Sequence, residues 1–296
     1  MANLKELRLR IASVKNTRKI TAAMSQIASA RLRKAQNALL AARPYGERMH
    51  EVVQHLVAGI DPAERKAAHA LLEERKGGRT LVIAMTADRG LCGGFNSNIN
   101  RAVARYLDQE RAEGHEVVLM AIGRKAQAYF KHYGEDFGGR EYPAAEDKTV
   151  VDLGKTVASA VIEAFLSEDE AERVDRVLLQ YNHFVSVLNQ EPRRIQILPL
   201  TASESEDAPT QEPTFEPERS SILQHLVPVA VESLLQQAMF NSVAAEIAAR
   251  RVAMDAATDN ASGLIADLTL EYNRERQAAI TTELMEIIGG AEALKG

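Results

Sequence analysis

The sequence predicts an α+β protein in which the two ends of the chain form a long antiparallel coiled coil and an α/β domain is inserted between them. Three observations carry this. Apolar and small residues recur in steps of three and four from Ser221 to Ile288. The same spacing runs from Leu4 to Leu39. Between the two lie short apolar runs that alternate with helical patterns, the mark of an α/β layer.

The C-terminal stretch, 221–288, reads as one helix with a seam at Leu226, Val229, Leu234, Gln237, Phe240, Ala244, Ile247, Met254, Ala257, Ala261, Leu264, Leu268, Tyr272 and Ala279. Pro228 lies near its start and no proline follows; the interior is filled with Ala, Glu, Gln, Leu, Met and Arg, strong helix formers. At 1.5 Å per residue such a helix is about 100 Å long, too long to bury its seam against one compact core. It needs a partner. The N-terminal stretch, 1–58, supplies one, with a seam at Leu4, Leu7, Ile11, Val14, Ile20, Met24, Ile27, Leu32, Ala35 and Leu39 and no proline or glycine before Pro44. Its charge is basic, through Lys5, Arg8, Arg10, Lys15, Arg18, Lys19, Arg31, Arg33, Lys34 and Arg43, whereas the C-terminal helix leans acidic through Glu232, Glu246, Asp255, Asp259, Asp267, Glu271, Glu275, Glu283 and Glu286. Opposite charge beside an apolar seam favours pairing of the two. Both seams admit Thr, Ser and Ala (Thr17, Thr21, Ser25; Ala256, Ala257, Ser262), which predicts faces that also meet something else.

Residues 78–200 read differently. Apolar runs at 80–86 and 116–122 have the composition of buried parallel strands, with further strands at 176–184 and 193–200 and a turn at Asn189–Pro192. Helical patterns at 97–113, 124–133 and 152–167 fall between them, so helices should cover both faces of a Rossmann-like sheet. Residues 201–220 are acidic and proline-rich, a linker.

Composition narrows the function. A chain of 296 residues, 46% hydrophobic with 5% aromatic residues and no Trp, has a real core and leans toward long helices. The net charge of -5 and the lack of aromatics among the basic residues argue against a nucleic-acid binder. One cysteine, Cys92, excludes an internal disulfide. No run approaches the eighteen apolar residues of a membrane span, and the start shows no signal-peptide core.

Candidate chemistry is sparse. Thr86–Asn96 follows a strand and opens a helix, where an α/β fold places a phosphate-binding turn, but Gly90, Gly93 and Gly94 form neither G-x-G-x-x-G nor a P-loop. Cys92 lacks a sequence-local catalytic histidine. His50 and His55 are off a common helix face, and Glu204, Glu206 and Asp207 sit in the linker. No catalytic set, cofactor or metal is expected. Two readings remain beside a mechanical one: a small α/β enzyme with a cofactor at Gly90–Gly94, and a free coiled-coil scaffold.

Four stretches carry a family resemblance: IASVKNTRKITAAMSQIASARLRKAQ at 11–36, TADRGLCGGFN at 86–96, ARRVAMDAATDN at 249–260 and YNRERQAAITTELMEIIGGAEA at 272–293. In this order and at these separations they closely resemble the γ subunit of the F-type ATP synthase; the likeness weakens at 134–150 and 201–220. The resemblance implies a noncatalytic rotor shaft. Its terminal helices would turn inside a ring of three α and three β subunits. Its α/β domain would sit on the membrane c ring beside ε, driven by proton flow. It implies that Met24, Arg18 and Lys19 lie near the acidic lever loop of β. Arg250, Arg276 and Gln277 would meet the β catch loops. Leu284, Ile287 and Ile288 would turn in the top bearing, and Phe215 and Glu216 would touch the c ring. Membrane association would be peripheral, through the complex only, on the cytoplasmic face of a bacterial inner membrane or, for a processed chain, the mitochondrial matrix face. The cysteine-bearing insertion of chloroplast members is missing, which predicts no thiol switching.

Overall fold

The computed structural model describes residues 4–61, 64–75, 78–201 and 219–293, with side chains left out of account at 219–220 and 292–293. They group into two compact units, one of the residues up to Ala28 and from Arg251 onward, the other of Ser29–Arg250.

In the first unit the start of α1 (Leu4–Ala58) pairs with the end of α6 (Arg219–Ala293). Arg8 donates to the Tyr272 hydroxyl at 2.9 Å, the hydroxyls of Thr21 and Thr258 lie 2.7 Å apart, and Ser25 donates to the Asp255 carboxylate. As numbers rise along α1 they fall along α6, so the helices are antiparallel, as the sequence predicts. The covered face of α1 passes through Leu7, Ile11, Val14, Thr21, Ser25 and Ala28, and that of α6 through Met254, Thr258, Ala261, Ile265, Leu268, Tyr272, Glu275 and Ala279. Both are heptad series, which favour a left-handed supercoil. Four expected seam residues instead point outward: Ile20 is 60% exposed, Ile27 55%, Leu264 41% and, in the other unit, Val229 38%, while in the coil Thr21, Ala28 and Ile265, one position along, are covered. The seam thus mixes large apolar side chains with small or polar ones at Thr21, Ser25, Ala28, Thr258 and Ala261. Arg8–Tyr272 and Ser25–Asp255 each join a charged side chain of one helix to a neutral one of the other.

The second unit is built on a five-stranded sheet of order β3-β2-β1-β4-β5, from β1 (Arg79–Met85), β2 (Glu116–Ile122), β3 (Glu141–Tyr142), β4 (Arg176–Phe184) and β5 (Gln190–Leu198). β1 pairs in parallel with β2 and β4, β2 with β3, and β5 closes the edge antiparallel to β4. Alternation sorts β1. Leu81, Ile83 and Met85 face one cluster with α1, α5 (Val150–Leu166) and α6; Val82 and Ala84 face another with α3 (Phe95–Ala112) and α4 (Arg124–His132). Helices thus cover both faces. The expected turn at Asn189–Pro192 is displaced: Gln190–Pro192 belong to β5, with Pro192 opposite Asn182, because an edge strand tolerates a residue without an N–H. The short helix α2 (Arg65–Ala68), the 3-10 turn Ala70–Leu72 and β3 have no counterpart in the sequence reading, although Leu71 and Leu72 are fully buried.

Candidate functional site

Two regions invite a functional reading, the turn after β1 and the outer surface of the terminal helices. The turn is held by its own side chains. Asn96 accepts from Ala87 N–H at 2.9 Å and donates to Arg89 C=O at 3.2 Å, while Leu91 and Gly93 take positive φ to complete the bend. The Asp88 carboxylate accepts from the backbone N–H of Arg124 at 2.9 Å and of Ala144 at 3.1 Å. Lys125 N–H donates to Ala87 C=O and Ala126 N–H to the Thr86 hydroxyl. The first amides of α4 are therefore occupied by the chain's own acceptors, and at α3, the helix this turn opens, Phe95 N–H donates to Cys92 C=O. Gly123, with φ of 93°, lies against this set, and a Cβ placed on it would fall 2.2 Å from Thr86 C=O.

The neighbouring cleft, roughly 640 Å³ and open, is lined by Asn96, Ser97, Asn100, Arg101, Lys125 and Tyr129. Its polar arms are largely engaged inward: Ser97 donates to Gly94 C=O, Asn100 to Lys125 C=O, and Arg101 to Ser97 C=O and Asn98. Cys92 is buried among Ala87, Phe95, Ala245 and Ala249. Burial, then the charge of Glu246, pushes its thiol pKa up, which disfavours the thiolate a nucleophile needs. Among the described residues no group of three His, Cys, Asp or Glu converges on a metal position.

The helix surfaces differ in kind. Arg18 occupies the heptad position between Val14 and Thr21 yet is exposed, as is Lys19, and Met24 is half-buried. Arg276 and Gln277 are exposed. From Thr281 to Ala291 every side chain of α6 is exposed, and Leu284 (53%), Ile287 (68%) and Ile288 (56%) are among them. Arg250 stands apart, because its guanidinium donates to Gly90 C=O at 2.7 Å and pairs with Glu246. Phe215 and Glu216 lie outside the described residues. The sequence reading missed Asp88, whose role depends on backbone amides remote in sequence.

A coil of paired terminal helices with uncovered apolar positions, together with a sheet whose first turn lacks the glycine pattern of a nucleotide cradle, defines a class: a partner-binding helical protein with a Rossmann-like insertion. The family model described as ATP synthase matches residues 3–294. The ATP synthase gamma chain of Geotalea uraniireducens (strain Rf4) is 43% identical over 306 residues, covering 100% of both chains. That of Trichlorobacter lovleyi is 42% identical, again over 100% of both. Among solved structures, a chain of the Euglena gracilis mitochondrial ATP synthase superposes with a TM-score of 0.68 at 19% identity, covering 98% of this chain and 94% of that one. A chain from the central stalk and c ring of the Tetrahymena thermophila enzyme gives 0.57 at 21% identity, over 80% and 99%. The chain belongs to the ATP synthase gamma family, and the cofactor-enzyme reading is set aside. Among the described residues no helix is long and apolar enough to cross a membrane.

Proposed function

We propose that this chain is the noncatalytic rotor of an F-type ATP synthase, coupling proton-driven rotation of a membrane c ring to the catalytic sites of three β subunits, which alternate with three α subunits around it. In this reading 1–58 and 221–288 form the axle, 78–200 the domain that meets the c ring and ε, and 201–220, with Phe215 and Glu216, the linker beside the c ring. The rotor is peripheral, held to the cytoplasmic face of a bacterial inner membrane through the complex.

The observation that carries the reading is the bare end of α6. Ile280, Leu284, Met285, Ile287 and Ile288 are all at least about half exposed. Apolar surface of that extent is retained in a soluble assembly when a partner covers it. Outward Ile20 and Ile27 add to it along α1. A rotor works by differential contact: an orientation that meets one β conformation better than another shifts that subunit's equilibrium by the difference. Arg18, Lys19, Met24, Arg276, Gln277, Leu284, Ile287 and Ile288 are the residues we assign to such contacts.

Purification of the native assembly with subunit counting tests this. One copy of the chain with three copies each of two larger nucleotide-binding subunits is expected; recovery of the chain alone, or in equal number with them, overturns it.

A further inference from the structure

The first turn after the sheet's central strand meets α6 in a small buried contact. Ala245 and Ala249 of α6 are buried in one cluster with Ala87, Cys92 and Phe95. At the end of this contact Arg250 reaches across and donates to the carbonyl of Gly90 at 2.7 Å. Its guanidinium is paired with Glu246, one helical turn earlier, and both side chains are less than one fifth exposed, at 17% and 19%. A charge-assisted bond in so sheltered a place is stiffer than one exposed to water. Gly90 lies in the segment braced on its far side by Asn96, which binds both Ala87 and Arg89.

Two further straps fix α6 to other elements of the same unit. Asn241 accepts from Phe184 N–H at the end of β4, at 3.4 Å, and Gln236 donates to Val151 C=O in α5, also at 3.4 Å. Both are longer than the Arg250 bond, and both join neutral groups. Arg250 is therefore the strongest polar tie among the three, and α6 continues without a break beyond it.

We propose that Arg250 is a positioning residue of the rotor: by tying the Gly90 carbonyl to α6 it lets twist along that helix pass to the sheet without slack. The proposal rests on the rotor reading and adds to it a specific point of stiffness. A single N–H donor suffices for the tie, so Arg250→Lys should keep it in part and Arg250→Gln, too short to span the gap, should lose it.

The test uses the assembled complex immobilised through its catalytic subunits, with a bead attached to a cysteine introduced at the exposed Leu188. The spread of bead angle within a pause reports stiffness, and the length of the pause reports contact with partners. Arg250→Gln should widen the angular variance at least 1.5-fold, with Arg250→Lys between it and the parent. Should Arg250→Gln fail to assemble, Glu246→Gln, which releases the guanidinium from its partner, should widen the variance by a smaller factor. Equal variance in parent and variants overturns the clamp, as does a Lys variant as loose as the Gln variant. A parent complex that assembles but shows no rotation overturns the rotor reading instead.

Discussion

The two halves of α6 share a backbone and differ in every other respect. From Leu223 to Ala249 the helix is buried nearly all round: Leu223, Val227, Ala230, Val231, Leu235, Ala238, Met239, Val243, Ala244, Ala245, Ala248 and Ala249 are within the core. Among the described residues after Arg251 only Met254, Ala261 and Leu268 are buried, and from Ile280 to Ala291 every side chain is exposed. A helix apolar on all sides is held by its own domain, whereas one with a single stripe and a bare end takes part of its stability from elsewhere. Stability and function should therefore separate along one helix, stability to the first half and function to the second.

Core truncation in the buried half should have the largest effect on folding. Leu235→Ala opens a cavity at a fully buried site in the main cluster and should cost about 2–5 kcal/mol in chemical denaturation. Gly123→Ala belongs in the same range, because positive φ and a 2.2 Å approach to Thr86 C=O leave the new methyl nowhere to go. A cost under about 0.5 kcal/mol for Leu235→Ala would remove the contrast between the halves.

Next comes the polar cluster below the sheet. Burial alone would raise the Glu110 carboxyl, but hydrogen bonds with Tyr106 and His115 and the charge of Arg176 outweigh it and hold the pKa below the usual 4.5. A carboxyl depressed on folding stabilises the folded state above its unfolded pKa, and that contribution fades as the pH falls through the folded value. Glu110→Gln should thus cost about 1–3 kcal/mol at pH 7. The gap between parent and variant should close as the solution is acidified below 4.5. A gap independent of pH would assign the loss to packing instead.

Within the coil the hydroxyl pair should matter less. Thr21 and Thr258 lie 2.7 Å apart in a partly buried seam; each hydroxyl has one proton, so one donates to the other while that other donates to a carbonyl of its own helix, Arg18 C=O or Met254 C=O. A double-mutant cycle with Thr21→Val and Thr258→Val should return a coupling of about 0.5–1.5 kcal/mol. Zero coupling would mean that this hydroxyl pair adds nothing to the pairing, leaving Arg8–Tyr272 and Ser25–Asp255 as the polar links of the coil.

How much of this was legible in the sequence follows from the size of each signal. Strands β1, β2 and β4 and helices α3 to α5 were marked by runs long enough to show their period. β3 has two residues and the 3-10 turn three, too few to show any period, so Leu71 and Leu72 went unread. The coil's partners were legible, and so was most of its phase, through Leu7, Ile11, Val14, Met254, Ala261, Leu268, Tyr272 and Ala279; it slipped by one place at three positions. Hydrophobicity pointed to Ile20, Ile27 and Leu264, while the heptad spacing of the covered face falls on Thr21, Ala28 and, one place along from Leu264, Ile265. That displacement is informative, since the isoleucines left outside are large apolar groups which the chain itself does not use. At the turn, glycine spacing was enough to doubt a nucleotide, but only the fold brings Asp88 to the amides of Arg124 and Ala144.

The smallest effect on folding is expected at the bare end of α6, and it tests the comparison most directly. Ile287 and Ile288 are 68% and 56% exposed, so Ile287→Ala with Ile288→Ala removes little surface that folding buries. The double variant should unfold within about 0.5 kcal/mol of the parent. In the assembled enzyme the same two side chains are read as surface that a partner covers, and loss of that contact should slow ATP turnover severalfold. A variant that folds and turns over like the parent would leave the second half of α6 without its assigned role. One that unfolds early would show that the end of the helix is packed within the chain, and the division between its halves would fail.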